Sequence, residues 1–99
     1  MGDNTGAGTT TTVAGTLVGD LTNQSDAQLV ISTGGNLNGT VTNTSDFDFN
    51  GGTVAAVDNN TGGDLDVTGM ATVTGTFTNA GALALANGSP QTLGAGGSG

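Results

Sequence analysis

The residues with the clearest chemical potential are four aspartates that occur as two pairs, 18 positions apart. They are Asp46 with Asp48, and Asp64 with Asp66, and each pair flanks one large apolar residue. If each pair lies on a strand, both carboxylates point to the face opposite that apolar residue. Strands stacked about 4.8 Å apart would place Asp46 beside Asp64 and Asp48 beside Asp66. We call these four residues the aspartate ladder, and their oxygens make them a candidate Ca²⁺ site.

The alternative interpretation of the aspartate ladder is a solvated acidic face that keeps the protein soluble. Like charges stacked in this way repel, and a cation would relieve the repulsion. The sequence lacks the Gly-Gly-x-Gly-x-Asp nonapeptide of calcium-binding β-rolls. This favours the acidic face, so we expect no cofactor, with Ca²⁺ as the candidate exception.

The composition argues against most other chemistry. The 99 residues include no Lys, Arg, His or Cys, and the formal net charge is −8. Without these side chains a Ser or Thr nucleophile has no ordinary base, a phosphate loop has no Lys, and a zinc site has no usual ligands. The negative charge disfavours nucleic acid and anionic lipid as partners, and no apolar run is long enough for membrane insertion. We therefore expect a protein that is not an enzyme.

The aspartate pairs belong to a repeat that is written four times. Its second strands begin at positions spaced by 18 residues, namely Leu29, Phe47, Leu65 and Leu83. Its first strands are less regular, because Leu17, Leu37, Val54 and Val73 lie 20, 17 and 19 residues apart. A fixed period near 20 predicts an all-β solenoid of about four 18–20-residue coils, in which each coil covers the apolar face of the last.

Two details of the repeat predict local structure. The copy at residues 51–67 is one residue short between Val54 and Val57, which predicts a kink or bulge in the strand of this copy. Glycines such as Gly39 fall between two inward apolar residues, and we expect them to leave room for a bulky neighbour from the next coil.

One asparagine recurs at the end of each first strand. These residues are Asn23, Asn43, Asn59 and Asn79. Stacked side-chain amides can hydrogen-bond to one another and cap turns, so we expect them to form a structural ladder, here called the asparagine ladder.

The repeat resembles the haemagglutinin-type repeats of filamentous secreted adhesins and autotransporter passengers. The resemblance is carried by residues 15–23, GTLVGDLTN, and 34–43, GGNLNGTVTN, within about residues 13–87. It implies a right-handed parallel β-helix that serves as scaffolding. Two alternatives stay open: a left-handed hexapeptide-type helix, because every sixth residue from Leu17 is often apolar, and an antiparallel β-sandwich of eight short strands.

The expected organisation is a polar N-terminal arm at 1–12, a β-solenoid at 13–87 and a Gly-rich tail at 88–99. Four coils bury too little to offset the ordering of a chain with 20 Gly, and both ends leave strand edges unpaired. We therefore expect a homo-oligomer, with other assembly subunits as further candidate partners.

The expected function is that of a structural protein in an exposed assembly, either a virion surface or tail component or an extracellular fibre. The start of the chain lacks the features of a signal peptide. The alternatives are a segment of a secreted bacterial adhesin that binds host or carbohydrate surfaces, and a Ca²⁺-stabilised binding module. The expected location is extracellular or on a virion surface.

Overall fold

A computed structural model describes residues 3–4, 10–24, 27–85 and 92–93 of the chain. These ranges contain strands and no helix, and hence no helix long and apolar enough to span a membrane. The strands, in chain order, are β1 Asp3–Asn4, β2 Thr10–Val13, β3 Thr16–Val18, β4 Leu21–Asn23, β5 Gln28–Ile31, β6 Asn36–Asn43, β7 Asp46–Phe49, β8 Gly52–Asn59, β9 Asp64–Val67, β10 Ala71–Val73, β11 Phe77–Asn79, β12 Ala82–Leu85 and β13 Thr92–Leu93.

Every strand pair in the described residues is parallel. A five-stranded sheet has the order β12-β9-β7-β5-β2. An eight-stranded sheet follows β1-β4-β6-β8-β10-β13, with β3 also paired to β6 and β11 to β8. The chain alternates between the two sheets, so the fold is a parallel β-solenoid of about four turns, as predicted. The antiparallel sandwich is excluded, since it requires antiparallel neighbours.

The 18-residue spacing sets the register of the five-stranded sheet. Leu29 pairs with Phe47, Phe47 with Leu65, and Leu65 with Leu83. The first three of these side chains are fully buried, and Leu83 packs partly buried against them. Burying each one stabilises the fold by about 2 kcal/mol relative to exposure. Because the side-chain period of a strand is two, the intervening residues face outward, and this places the aspartates on the surface.

An irregularity occurs where the short third copy pairs with the second, but the extra residue is on β6 and not on the strand of the short copy, where it was expected. The register between β6 and β8 shifts between Leu37 and Thr40, since Leu37 pairs with Val54 and Thr40 with Ala56. Strand β6 therefore carries one extra residue, as in a β-bulge. The expectation that Gly39 leaves room for a bulky side chain is wrong. A Cβ at Gly39 would collide with the backbone carbonyl of Gly19, so the glycine permits close approach of two backbones.

Strands also occur within the predicted arm and tail. Asp3–Asn4 pairs with β4, and Thr10–Val13 pairs with β5, so the boundary expected between residues 12 and 13 falls inside a strand. Thr92–Leu93 pairs with β10. The other residues of the expected arm, 1–2 and 5–9, lie outside the described residues. So do residues 86–91 and 94–99, which include most of the expected tail.

Candidate functional site

The asparagine ladder is a continuous column of side-chain hydrogen bonds. Asn23 Nδ2 donates to Asn43 Oδ1 at 2.8 Å, Asn43 Nδ2 to Asn59 Oδ1 at 2.8 Å, and Asn59 Nδ2 to Asn79 Oδ1 at 2.7 Å. Asn23, Asn43 and Asn59 have no exposed surface, and Asn79 is half-buried. Each amide carries both a donor and an acceptor, so identical neighbours satisfy one another without any charge.

Each ladder amide also holds the corner of its own coil. Asn23 and Asn59 donate to the backbone carbonyls of Asp46 and Ala82 in the next coil, at 2.7 and 3.0 Å. The acceptors within the same coil are the backbone carbonyls of Ala27, Ser45, Gly63 and Gly81, at 3.4, 2.7, 3.4 and 3.2 Å. These acceptors are spaced by 18 residues, whereas the asparagines are spaced by 20, 16 and 20. The corner loops therefore alternate in length while the ladder keeps one position. The asparagine ladder therefore brings each coil into the same alignment with its neighbours before the next strand of the five-stranded sheet begins.

Burial makes the asparagine ladder costly to break. In the described part of the chain every buried side-chain nitrogen and oxygen has a hydrogen-bond partner. Removing one amide would leave neighbouring buried groups unpaired, at about 1–3 kcal/mol for each group.

The backbone of one further asparagine is in register with the asparagine ladder, and this residue was missed from the sequence. Asn4 in β1 is the register partner of Asn23. The available signal was its spacing, since Asn4 precedes Asn23 by 19 residues. It was assigned to the arm because no apolar residue beside it marks a strand.

The aspartate ladder lies on the outer face of the five-stranded sheet. Asp46 pairs with Asp64 and Asp48 with Asp66, so the structure brings all four predicted residues together. Asp46 and Asp64 are exposed, while Asp48 and Asp66 are half-buried. Partial burial raises the pKa of the Asp66 carboxyl above its ordinary value, and the charges of Asp64, Asp48 and Asp46 raise it further.

Neutral residues bound the aspartate ladder on both sides. On one side Gln28 Nε2 donates to Asp48 Oδ2 at 2.6 Å, a short bond to a charged acceptor. On the other side the register partners of Asp64 and Asp66 are Ala82 and Ala84. The acidic face is therefore two strands wide and stops one strand short of the solenoid's C-terminal end.

The geometry gives the calcium hypothesis a charge cluster without a ligand cage. Among the described residues, no group of three or more Asp, Glu, His or Cys side chains is arranged to hold a metal ion. The Ca²⁺ site at Asp46, Asp48, Asp64 and Asp66 stays a prediction.

The two ends of the solenoid are the other candidate site. At the C-terminal end, β12 is the outer strand of its sheet and reads Ala-Leu-Ala-Leu, with Leu83 half-buried and Leu85 51% exposed. At the N-terminal end, the outer strand is β2, Thr-Thr-Thr-Val. Neither strand carries a charge. An uncharged outer strand with open backbone groups is a template for pairing with another chain.

No protein-family model, curated protein or solved structure matches this chain.

Proposed function

We propose that this protein is a non-enzymatic structural component of an exposed assembly, on a virion surface or tail or in an extracellular fibre, and that it acts by self-association. The observation that carries the proposal is the pair of uncharged outer strands, β2 and β12. Soluble β-proteins usually protect such edges with charges, prolines or a covering element. Here the carboxylates of the aspartate ladder lie one strand from β12 and two strands from β2, and among the described residues no further strand covers either edge.

Composition supports the non-enzymatic part of the proposal. Proton transfer could come only from carboxylates, since the chain has no His, Cys or Lys. The absence of Lys and Arg also removes every trypsin-type cleavage site, which suits an exposed location outside the cell or on a virion.

Light-scattering mass across a concentration series tests the proposal. We expect the mass to rise above the 9.4 kDa monomer with concentration, alongside a β-rich far-UV circular dichroism spectrum. A folded chain that stays at monomer mass throughout the series would refute it.

A second candidate function is supported by the outer face of the eight-stranded sheet. Thr22, Thr42, Asp58 and Thr78 form one outward column in register, and Thr78 Oγ1 donates to Asp58 Oδ1 at 2.9 Å. Stacked hydroxyls and carboxylates can bind sugar hydroxyls. With the resemblance to haemagglutinin-type repeats, this favours a segment of a secreted adhesin that binds carbohydrate or host surfaces.

A glycan-binding screen with Thr42→Val as the comparison tests this candidate. Binding that is unaffected by Thr42→Val would exclude this column as the binding surface.

A further inference from the structure

The described strands stack along the solenoid in three paths, and each path is five strands, or five levels, high. The five-stranded sheet has five levels, from β2 to β12. The eight-stranded sheet contains two paths of five, β3-β6-β8-β10-β13 before the bulge and β1-β4-β6-β8-β11 after it. The first strands of the three paths are β1, β2 and β3, and the last are β11, β12 and β13. The outer strands at the two ends therefore occur in the same order around the coil.

The backbone groups at the two ends are complementary. Ala82 N–H donates to the Gly63 carbonyl, so the backbone N–H and C=O groups of the even-numbered residues of β12 point towards the preceding coil. Alternate residues of a parallel strand bond to opposite neighbours, which directs the N–H and C=O of Leu83 and Leu85 to the open edge. At the other end, the Val13 carbonyl accepts from Ser32 N–H in the next coil. By the same alternation, the backbone N–H and C=O groups of Thr10 and Thr12 point to the open edge at the N-terminal end.

Side-chain columns also continue across such a junction. Thr11 and Val13 are the first members of the inward columns that end at Leu83 and Leu85. The backbone of Asn4 is in register with Asn23, at the start of the strand path that ends at Asn79. A copy seated with β2 on β12 would continue the inward columns into its own levels.

Charge selects this orientation over the alternative of two N-terminal ends in contact. All eight acidic residues lie at or before Asp66, so residues 67–99 contain none. The exposed Asp20, between β3 and β4, lies at the N-terminal end. Contact between two N-terminal ends would bring two copies of this charge together, whereas an N-terminal end on a C-terminal end avoids this.

We propose that the partner in self-association is a second copy of this chain, stacked head to tail, with β1, β2 and β3 of one copy on β11, β12 and β13 of the next. This inference rests on the proposed function and specifies the contact. Such a heterologous contact does not close, so it builds an open filament. Five levels at about 4.8 Å give an axial rise of about 24 Å per subunit.

Two proline variants, one for each end, test the orientation. Thr12→Pro and Leu85→Pro each remove an N–H that points away from the neighbouring strand, so neither removes a hydrogen bond between the strands that the structure describes. Each variant alone should weaken assembly by about tenfold or more, while Ala84→Ser, on the outward face of the same strand, should assemble like the parent. Circular dichroism checks that each variant folds, and Leu85→Lys serves if Leu85→Pro does not fold.

The decisive measurement is the sedimentation of the two proline variants after mixing. Each keeps one intact end, so head-to-tail stacking predicts a dimer from the mixture and nothing longer. If Thr12→Pro alone forms dimers through its intact C-terminal ends, the contact is isologous and the inference fails. Assembly that is unchanged by all of these variants would also refute it, while self-association itself would stand. A parent protein that stays monomeric would refute the proposed function as well.

Discussion

Two ladders of stacked polar side chains run along this solenoid, and they differ in charge and burial. The asparagine ladder is neutral, largely buried and linked by hydrogen bonds of 2.7–2.8 Å from coil to coil. The aspartate ladder is exposed or half-buried, and the partial burial of Asp66, together with the neighbouring carboxylates, raises the pKa of Asp66. A solenoid places identical residues beside one another, so a self-complementary group stabilises the stack and a like-charged group opposes it. The asparagine ladder therefore stabilises the fold, whereas the aspartate ladder can be accommodated because water reaches its charges.

The largest expected effect is the loss of one buried amide. Asn43→Ala should lower the free energy of unfolding by about 3 kcal/mol, because it leaves Asn59 Oδ1 and other buried groups unpaired. Asn38 is the matched control, since it lies in the same strand β6 with its side chain exposed. Asn38→Ala should change stability by less than about 0.5 kcal/mol in urea unfolding. Equal losses from both variants would remove any special role for the buried column.

A slightly smaller effect is expected from crowding the same ladder. A Cβ at Gly63 would collide with Asn59 Oδ1 and the Asn43 carbonyl. Gly63→Ala should therefore cost about 1–3 kcal/mol, as overpacking of a buried site does. Gly15 has no atom near its added Cβ, so Gly15→Ala should change the thermal midpoint little. If Gly63→Ala proves as mild as Gly15→Ala, the ladder is looser than its distances indicate.

A third, smaller effect concerns pH and the aspartate ladder. The folded state holds the Asp66 proton more tightly than the unfolded state, since its pKa is raised on folding. The stability should therefore increase as the pH falls from neutral towards the ordinary carboxyl pKa near 4. Asp66→Asn should reduce this dependence, whereas Asp58→Asn, on the other sheet, should leave it in place. Urea midpoints at several pH values measure both, and stability that decreases over this range in the parent would contradict the account.

The smallest expected effect is that of calcium. We expect millimolar Ca²⁺ or an excess of chelator to leave both the circular dichroism spectrum and the mass unchanged, because the ladder provides charges without a ligand cage. Loss of fold or of assembly in chelator would instead make the four aspartates a metal site.

The regular half of the fold was accessible from the sequence because its period is constant. The spacing of Leu29 and Phe47 is the register of the five-stranded sheet, and the alternation around Phe47 places the aspartates outside. The positions of the asparagine column were also visible, although spaced by 20, 16 and 20.

The rest depended on contacts that spacing does not encode. Nothing in the sequence indicates that the alternating lengths of the corner loops are compensated by side-chain amides that hydrogen-bond to the carbonyls of Ala27 and Ser45. Gly39 was misinterpreted because the neighbour that excludes a side chain there is a backbone carbonyl. Strands β1 and β2 were missed because Asp3–Asn4 is two residues long and Thr10–Val13 has no apolar alternation. Both become strands because the next coil offers them an edge.

The most direct test of the central claim exchanges the two kinds of ladder residue. Asn43→Asp places a carboxylate in the buried amide column, and Asp66→Asn places an amide in the carboxylate column, so each variant differs from the parent by one unit of charge. At neutral pH we predict opposite signs in urea unfolding: a loss of about 3 kcal/mol or more for Asn43→Asp, and a gain of about 0.2–1 kcal/mol for Asp66→Asn. Acidification should restore part of the first loss, because a protonated carboxyl can both donate and accept. Changes of the same sign, or an Asn43→Asp variant as stable as the parent, would contradict the account.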